Sequence, residues 1–215
     1  MAATGSKSSA SAPRGSKTRM ALFRAGSALL AEKPIEAVSI DEIVEAAGVA
    51  KGSFYYYFAD KVEFAHAIAD DIDAEISKNT VDANNGIDDP ASRIARAVCL
   101  YLHFAHKDPI RARIMVRWQT DPSVDPTQLN KALVDQISLG LVNGRFRLAT
   151  AEAGALSVLG IAGAGIRRLS ADACSIENAT AISQQLCAFM LRGLGLRDSE
   201  SNQLAARAAH EIFLV

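Results

Sequence analysis

Cysteine is scarce in this chain: Cys99, Cys174 and Cys187 are the three among 215 residues. The number is odd and no pair has C-x-x-C spacing, so neither a disulfide framework nor a zinc cluster is indicated. Free thiols in a reducing, cytoplasmic setting are expected instead. Long apolar runs are also missing. The longest, Ala153 to Ile166, is interrupted by Ser157 and ends at Arg167-Arg168, short of the ~20 residues a membrane span needs. The first 17 residues are basic and rich in Ser, Ala and Gly, without the apolar stretch of a secretory signal. No G-x-S-x-G, P-loop, H-E-x-x-H or dinucleotide-binding fingerprint occurs, so neither an enzyme nor a cofactor is expected. His103 and His106 stand three apart, a spacing metals accept, but no carboxylate or thiol completes a ligand set, and no metal site is expected.

Acidic residues are absent from the first 31 positions. Lys7, Arg14, Lys17, Arg19 and Arg24 give that segment +5, and the other 184 residues carry −6, so the overall −1 hides an end-to-end polarity. With 49% hydrophobic residues and 6 prolines the chain can bury a sizeable core. Residues 1–15 read as a disordered basic tail, too poor in apolar area to offset ordering. Beyond them, helical periodicity dominates and strand-like alternation is nearly absent. Breakers such as Lys33-Pro34, Asn84-Asn85-Gly86, Asp89-Pro90, Asp108-Pro109, Asn143-Gly144 and Gly193 to Ser199 separate about nine or ten helices, so the expected fold is all-α.

The most informative stretch lies early. Leu22, Gly26, Leu29 and Leu30 mark one face of a helix from about Ser16 to Glu32, which Pro34 stops. Ser39-Ile40-Asp41-Glu42 is a capping box, with Val38 and Ile43 at the hydrophobic-staple positions. Gly48 is the expected left-handed stop, and a new short helix can begin at Ala50 or Lys51. Two short helices joined by a tight glycine turn form a helix-turn-helix pattern. Asp60-x-x-Glu63 starts a fourth helix, expected to run to about Asn79, with Asp70-Asp71-x-Asp73 as charge on its exposed face. In the short helix between them, Lys51-Gly52-Ser53-Phe54-Tyr55-Tyr56-Tyr57-Phe58, the two phenylalanines share a face at i, i+4 and can anchor inward. Lys51 and the three tyrosines cannot all follow them. Phenol hydroxyls suit phosphate oxygens and ring faces suit thymine methyls or sugars, so DNA is the expected partner.

Residues Ser39 to Lys61, SIDEIVEAAGVAKGSFYYYFADK, resemble the signature of the TetR/AcrR family of bacterial transcriptional regulators, with similarity over about residues 16–68. The resemblance implies a three-helix DNA-binding head at 16–62, joined by a linking helix to a larger ligand-binding and dimerisation domain at 63–215. It implies that Lys51, Gly52, Ser53, Tyr55, Tyr56 and Tyr57 face the major groove, and that Lys61 and Ser39 meet backbone phosphates. The arm carrying Arg14, Lys17 and Arg19 either adds phosphate or minor-groove contacts or is a solvated tail. Three positions depart from the family pattern: Ala50 replaces a capping hydroxyl, Gly26 stands where Ala is usual, and Lys33-Pro34 replaces a loop glycine.

The rest of the chain offers apolar stripes. Ile94, Val98, Tyr101, Leu102 and Ala105 make one; Ile110, Ile114, Met115 and Trp118 make another. Core packing explains them in isolation, but the resemblance implies a small-molecule cavity among these helices, and Tyr101, His103, Phe104, Met115 and Trp118 are its expected lining. Arg111, Arg113 and Arg117 read as a solvated face. Residues 151–170 hold Gly154, Gly160, Gly163 and Gly165, costly in a helix unless something approaches closely. With the helix at about Ile176 to Arg192 they resemble the family's dimer-forming pair, through Gly160, Gly163, Ala164, Ile182, Leu186, Phe189 and Met190. Asp198 to Leu214 adds a terminal helix with Leu204, Ala208, Ile212 and Leu214 inward. The expected function is a homodimeric repressor released from a palindromic operator by a small-molecule effector, with no membrane partner. A helical small-molecule-binding protein and an architectural DNA binder without an effector are the alternatives.

Overall fold

The computed structural model describes residues 14–119 and 131–214, which form ten α-helices and no strand. The chain divides into two compact units, one ending at Ile68 and the other beginning at Ala69.

The first unit contains α1 (Arg14–Glu32), α2 (Ile40–Ala47), α3 (Lys51–Tyr57) and the opening turns of α4 (Lys61–Ala83). Pro34 ends α1 and leads into one 3-10 turn, Ile35–Ala37. Ser39 Oγ accepts from the Glu42 N–H at 3.2 Å, and the Glu42 carboxylate accepts from the Ser39 N–H at 2.8 Å, closing the expected capping box. Lys33 explains its own presence: its ammonium donates to Glu42 at 2.6 Å, tying the loop to α2. That contact, together with the Ser39 donors, holds the Glu42 carboxyl down at about 2. Gly48 ends α2 at φ 66, a left-handed conformation that glycine adopts without strain. Ala50 stands before α3 and supplies no side-chain cap.

Leu22, Ile43, Phe54, Phe58 and Phe64 are buried together in this unit. The Phe64 ring lies 4.9 Å from that of Phe58 and 5.3 Å from that of Phe54. Gly26 matters here, because a Cβ at that position would fall 2.3 Å from the Phe64 ring. α4 runs past the expected end at Asn79 to Ala83. Thr80 folds its hydroxyl onto the Ile76 carbonyl at 2.9 Å, which keeps the turn helical, and the left-handed break comes only at Gly86 (φ 74).

The second unit holds the rest of α4, then α5 (Pro90–Lys107), α6 (Pro109–Gln119), α7 (Lys131–Val142), α8 (Ala151–Ala171), α9 (Ile176–Gly193) and α10 (Asp198–Phe213). α5 is central and touches all five helices that follow it. Its buried face is mostly small, Ala91, Ala95, Cys99 and Ala105 around Leu102, so neighbours approach closely. Gly165 of α8 extends this logic: a Cβ there would lie 2.6 Å from Leu102 and 2.7 Å from Leu186. α10 also packs through small residues. It buries Ser201, Ala205, Ala208, Ala209 and Phe213, whereas Leu204 and Ile212 are half-buried and Leu214 is exposed. The expected inward face is therefore rotated, because alanines allow a flatter seat than leucines. Among the described residues no helix is long and apolar enough to cross a membrane.

Candidate functional site

Two sites emerge, one in each unit. On α3 the i, i+4 pair Phe54 and Phe58 is buried, which turns Tyr55 and Tyr56 outward, the latter 81% exposed. Tyr57 is half-buried, its ring 4.9 Å from that of Tyr56. Gly52 is exposed with open space where a Cβ would stand, and Ser53 is half-buried. Lys51 is exposed and its ammonium pairs with Asp41 of α2 at 2.7 Å, a contact that raises its pKa. Ser39 is exposed, but its hydroxyl is committed to Glu42. Lys61 donates its ammonium to the carbonyls of Glu36 and Val38, at 3.0 and 2.9 Å, so it clamps the 3-10 turn ahead of α2. The Asp41–Lys51 pair and the Lys61 clamp join the start of α2 to α3 and α4. Arg19 of the basic arm stacks on Phe23 at 4.1 Å; residues 1–13 lie outside the described residues.

The second unit contains a cavity of about 400 Å³ between α4, α5, α7 and α8. Of the expected lining residues, Tyr101 is on its wall and His103, Phe104 and Met115 are not. His103 faces Phe213 at 4.8 Å; burial and then the charges of Lys107 and His106 lower its pKa. Phe104 lies under the Arg111 guanidinium, 5.6 Å away, and Met115 is core. The side chain of Trp118 lies outside the described residues. Arg111 is not part of a solvated face either: it pairs with Glu75 at 2.7 Å and Asp71 at 3.6 Å.

Apolar wall comes from Ile94 and Val98 of α5, Leu133 of α7, and Val158, Leu159 and Ile166 of α8. The polar wall comes chiefly from α4 and the residue after it: Asp73, Ser77, Thr80 and Asn84 line the cavity in one stripe at i, i+4, i+7 and i+11. That stripe was the signal available in the sequence; Asp73 is exposed, as expected, and also stands on the cavity wall. Asp73 keeps solvent access, yet its carboxyl pKa is raised by partial burial and by the like charge of Asp70. Burial, then the charge of Asp73, pushes the Tyr101 phenol up to about 12, against a hydrogen bond with Ser77. Arg93 donates to the carbonyls of Ile87 and Asn84, at 2.9 and 3.4 Å. Asn84 Oδ1 and Gln136 Oε1 are buried without a hydrogen-bond partner.

Residues 22–68 match the profile of the bacterial regulatory proteins of the tetR family. Over 67 residues the chain is 42% identical to the transcriptional regulator AcuR of Cereibacter sphaeroides, a match spanning 31% of each chain. Residues 22–68 are therefore of the TetR family. The fold of the chain as a whole is that of solved TetR-family chains. CprB from S. coelicolor A3(2), a TetR-family protein, is 22% identical with a TM-score of 0.67, covering 93% of this chain and all of that one. RolR, solved with the ligand resorcinol, is 24% identical with a TM-score of 0.62, covering 90% of this chain and 95% of that one.

The expected dimer face is only partly at the surface. Gly160, Ala164 and Phe189 are exposed, and Ile182 and Leu186 are half-buried. Met190 is buried, and Gly163 is buried on the cavity wall, so these two belong to the interior. Leu156 is exposed one turn before Gly160 on the same face of α8.

Proposed function

We propose that this protein is a sequence-specific DNA-binding regulator of the TetR family: a homodimeric repressor that leaves a palindromic operator when a small molecule enters the cavity. DNA binding falls to residues 16–62, ligand binding and dimerisation to residues 63–215. The observation that carries the reading is α3, which buries Phe54 and Phe58 and turns Lys51, Tyr55 and Tyr56 to solvent. An exposed pair of aromatic rings beside a lysine is costly in water unless a partner covers it, and DNA offers both phosphates and base edges.

Lys51, Gly52, Ser53, Tyr55, Tyr56 and Tyr57 are the proposed major-groove residues, with Lys51 exchanging Asp41 for guanine acceptors. Ser39 and Lys61 are the proposed phosphate contacts at the start of α2. Lys61 has one of three N–H donors left after its two carbonyls. Two heads related by a two-fold would read half-sites about one helical turn apart. The effector must prefer the arrangement that does not bind DNA, since equal affinity for both shifts nothing. Similarity in fold to a chain holding resorcinol supports a small-molecule occupant.

The test is a gel shift on the DNA upstream of the protein's own gene, with salt titration. A palindrome should be bound at least about a thousandfold more tightly than bulk DNA. Lys51→Ala and Tyr55→Ala should weaken specific binding more than non-specific binding. Equal losses would reassign these residues to phosphate positioning, and no preference above bulk DNA would sink the regulator reading.

A further inference from the structure

The cavity wall carries more negative than positive charge among the described residues. Asp73 and Asp135 both line it, and neither forms an ion pair among the described residues. Among the described residues Arg93 is the one cation on the wall; its Nη1 donates to two main-chain carbonyls, and its Nε is buried without a partner. Residues 120–130, TDPSVDPTQLN, hold two aspartates and no lysine or arginine, so they cannot supply the missing charge. The formal charge of the lining is therefore −1, with Asp70 adding a further negative charge beside Asp73.

Acceptors also outnumber donors. Asn84 Oδ1 and Gln136 Oε1 have no donor, and the Thr80 hydroxyl donates to Ile76, leaving it an acceptor towards any newcomer. Asn84 is 4% exposed, so its orphaned oxygen is inside the protein, where an unmet acceptor is costly. Aliphatic side chains and Tyr101 line the same cavity as this polar stripe.

From this we infer that the cavity takes an organic cation, a protonated amine on an apolar body, with Asp73 as counter-ion and the Tyr101 ring beside the ammonium. The amine supplies what the wall lacks, positive charge and N–H donors. Its body replaces water along Ile94, Val98, Val158 and Ile166. A carboxylate of the same shape would meet two aspartates against the single guanidinium of Arg93. The inference rests on the proposal that this cavity is the effector site.

Calorimetry on the full chain without DNA tests it with three probes of similar shape: phenethylamine, 2-phenylethanol and 3-phenylpropanoate. At pH 7 and low salt the amine should bind about tenfold more tightly than the alcohol, and the carboxylate most weakly, because only the amine gains an opposite charge at Asp73, an attraction that salt screens. Asp73→Asn should reduce the amine to the affinity of the alcohol and leave the alcohol unchanged. Asp73 keeps solvent access, so this variant should fold, and a melting curve checks that. Equal affinity of the alcohol or carboxylate, an amine preference that survives Asp73→Asn, or no binding by any probe would overturn the inference. Because DNA is absent, failure of operator binding leaves this result standing. An amine that binds but does not release DNA would count against the effector mechanism alone.

Discussion

Asp89 joins three parts of the larger unit through one carboxylate. It caps α5 by accepting from Ser92 N at 3.0 Å, and it accepts from Arg145 Nε at 2.6 Å, while Arg145 also pairs with Glu200 of α10 at 2.7 Å. Burial on its own would raise the carboxyl pKa, but Arg145 and Ser92 outweigh it and bring the pKa to about 2. A carboxyl whose folded pKa lies below its unfolded value adds stability above the unfolded value and loses it as pH falls through the folded one. Asp89→Ala should thus cost about 1–2 kcal/mol at pH 7, the sum of a lost cap and a partly exposed ion pair. Urea titrations should show that difference shrinking below about pH 4, the ordinary carboxyl pKa, and nearly gone at pH 2. A gap that persists at pH 2 would mean that the side chain acts by packing.

Gly26 decides how α1 and α4 meet. Gly→Ala inside a helix normally stabilises by about 1 kcal/mol. Here the new methyl would fall 2.3 Å from a Phe64 ring that is fully buried among Phe23, Phe54 and Phe58 and has nowhere to retreat. Overpacking of this kind costs about 1–3 kcal/mol, so Gly26→Ala should lower the melting temperature of the protein, a result calorimetry reads directly. The same elements show what a sequence discloses. The capping box at Ser39, the left-handed Gly48 and the inward pair Phe54 and Phe58 are local signals separated by a turn or two, and each appears in the structure where the pattern put it. The cavity joins helices far apart in the chain, and two of the expected lining side chains, Phe104 and Met115, have other partners. Its polar wall was written as a stripe along α4 and the residue after it, but a polar stripe reads as surface until α5, α7 and α8 are known to face it. Gly160 and Gly163 illustrate the same limit, for three residues on one helix separate an exposed position from a buried one.

At the scale of the molecule, association is proposed to run through the exposed apolar face of α8 and α9, where Leu156 is 57% and Phe189 62% exposed. Phe189→Glu places a charge at the centre of that face without touching the core. It should shift the protein from dimer to monomer in analytical ultracentrifugation and weaken operator binding with it; an unchanged dimer would place the interface elsewhere. The distribution of chromophores follows the same division of labour. Three of the four tyrosines stand side by side at 55–57 in the first unit, and the single tryptophan is at 118 in the second. Tyrosine absorbance is therefore weighted towards the head and tryptophan emission comes wholly from the body. The protein carries a two-channel optical label, so changes in the first and second units can be followed as separate signals in one cuvette, with no dye attached.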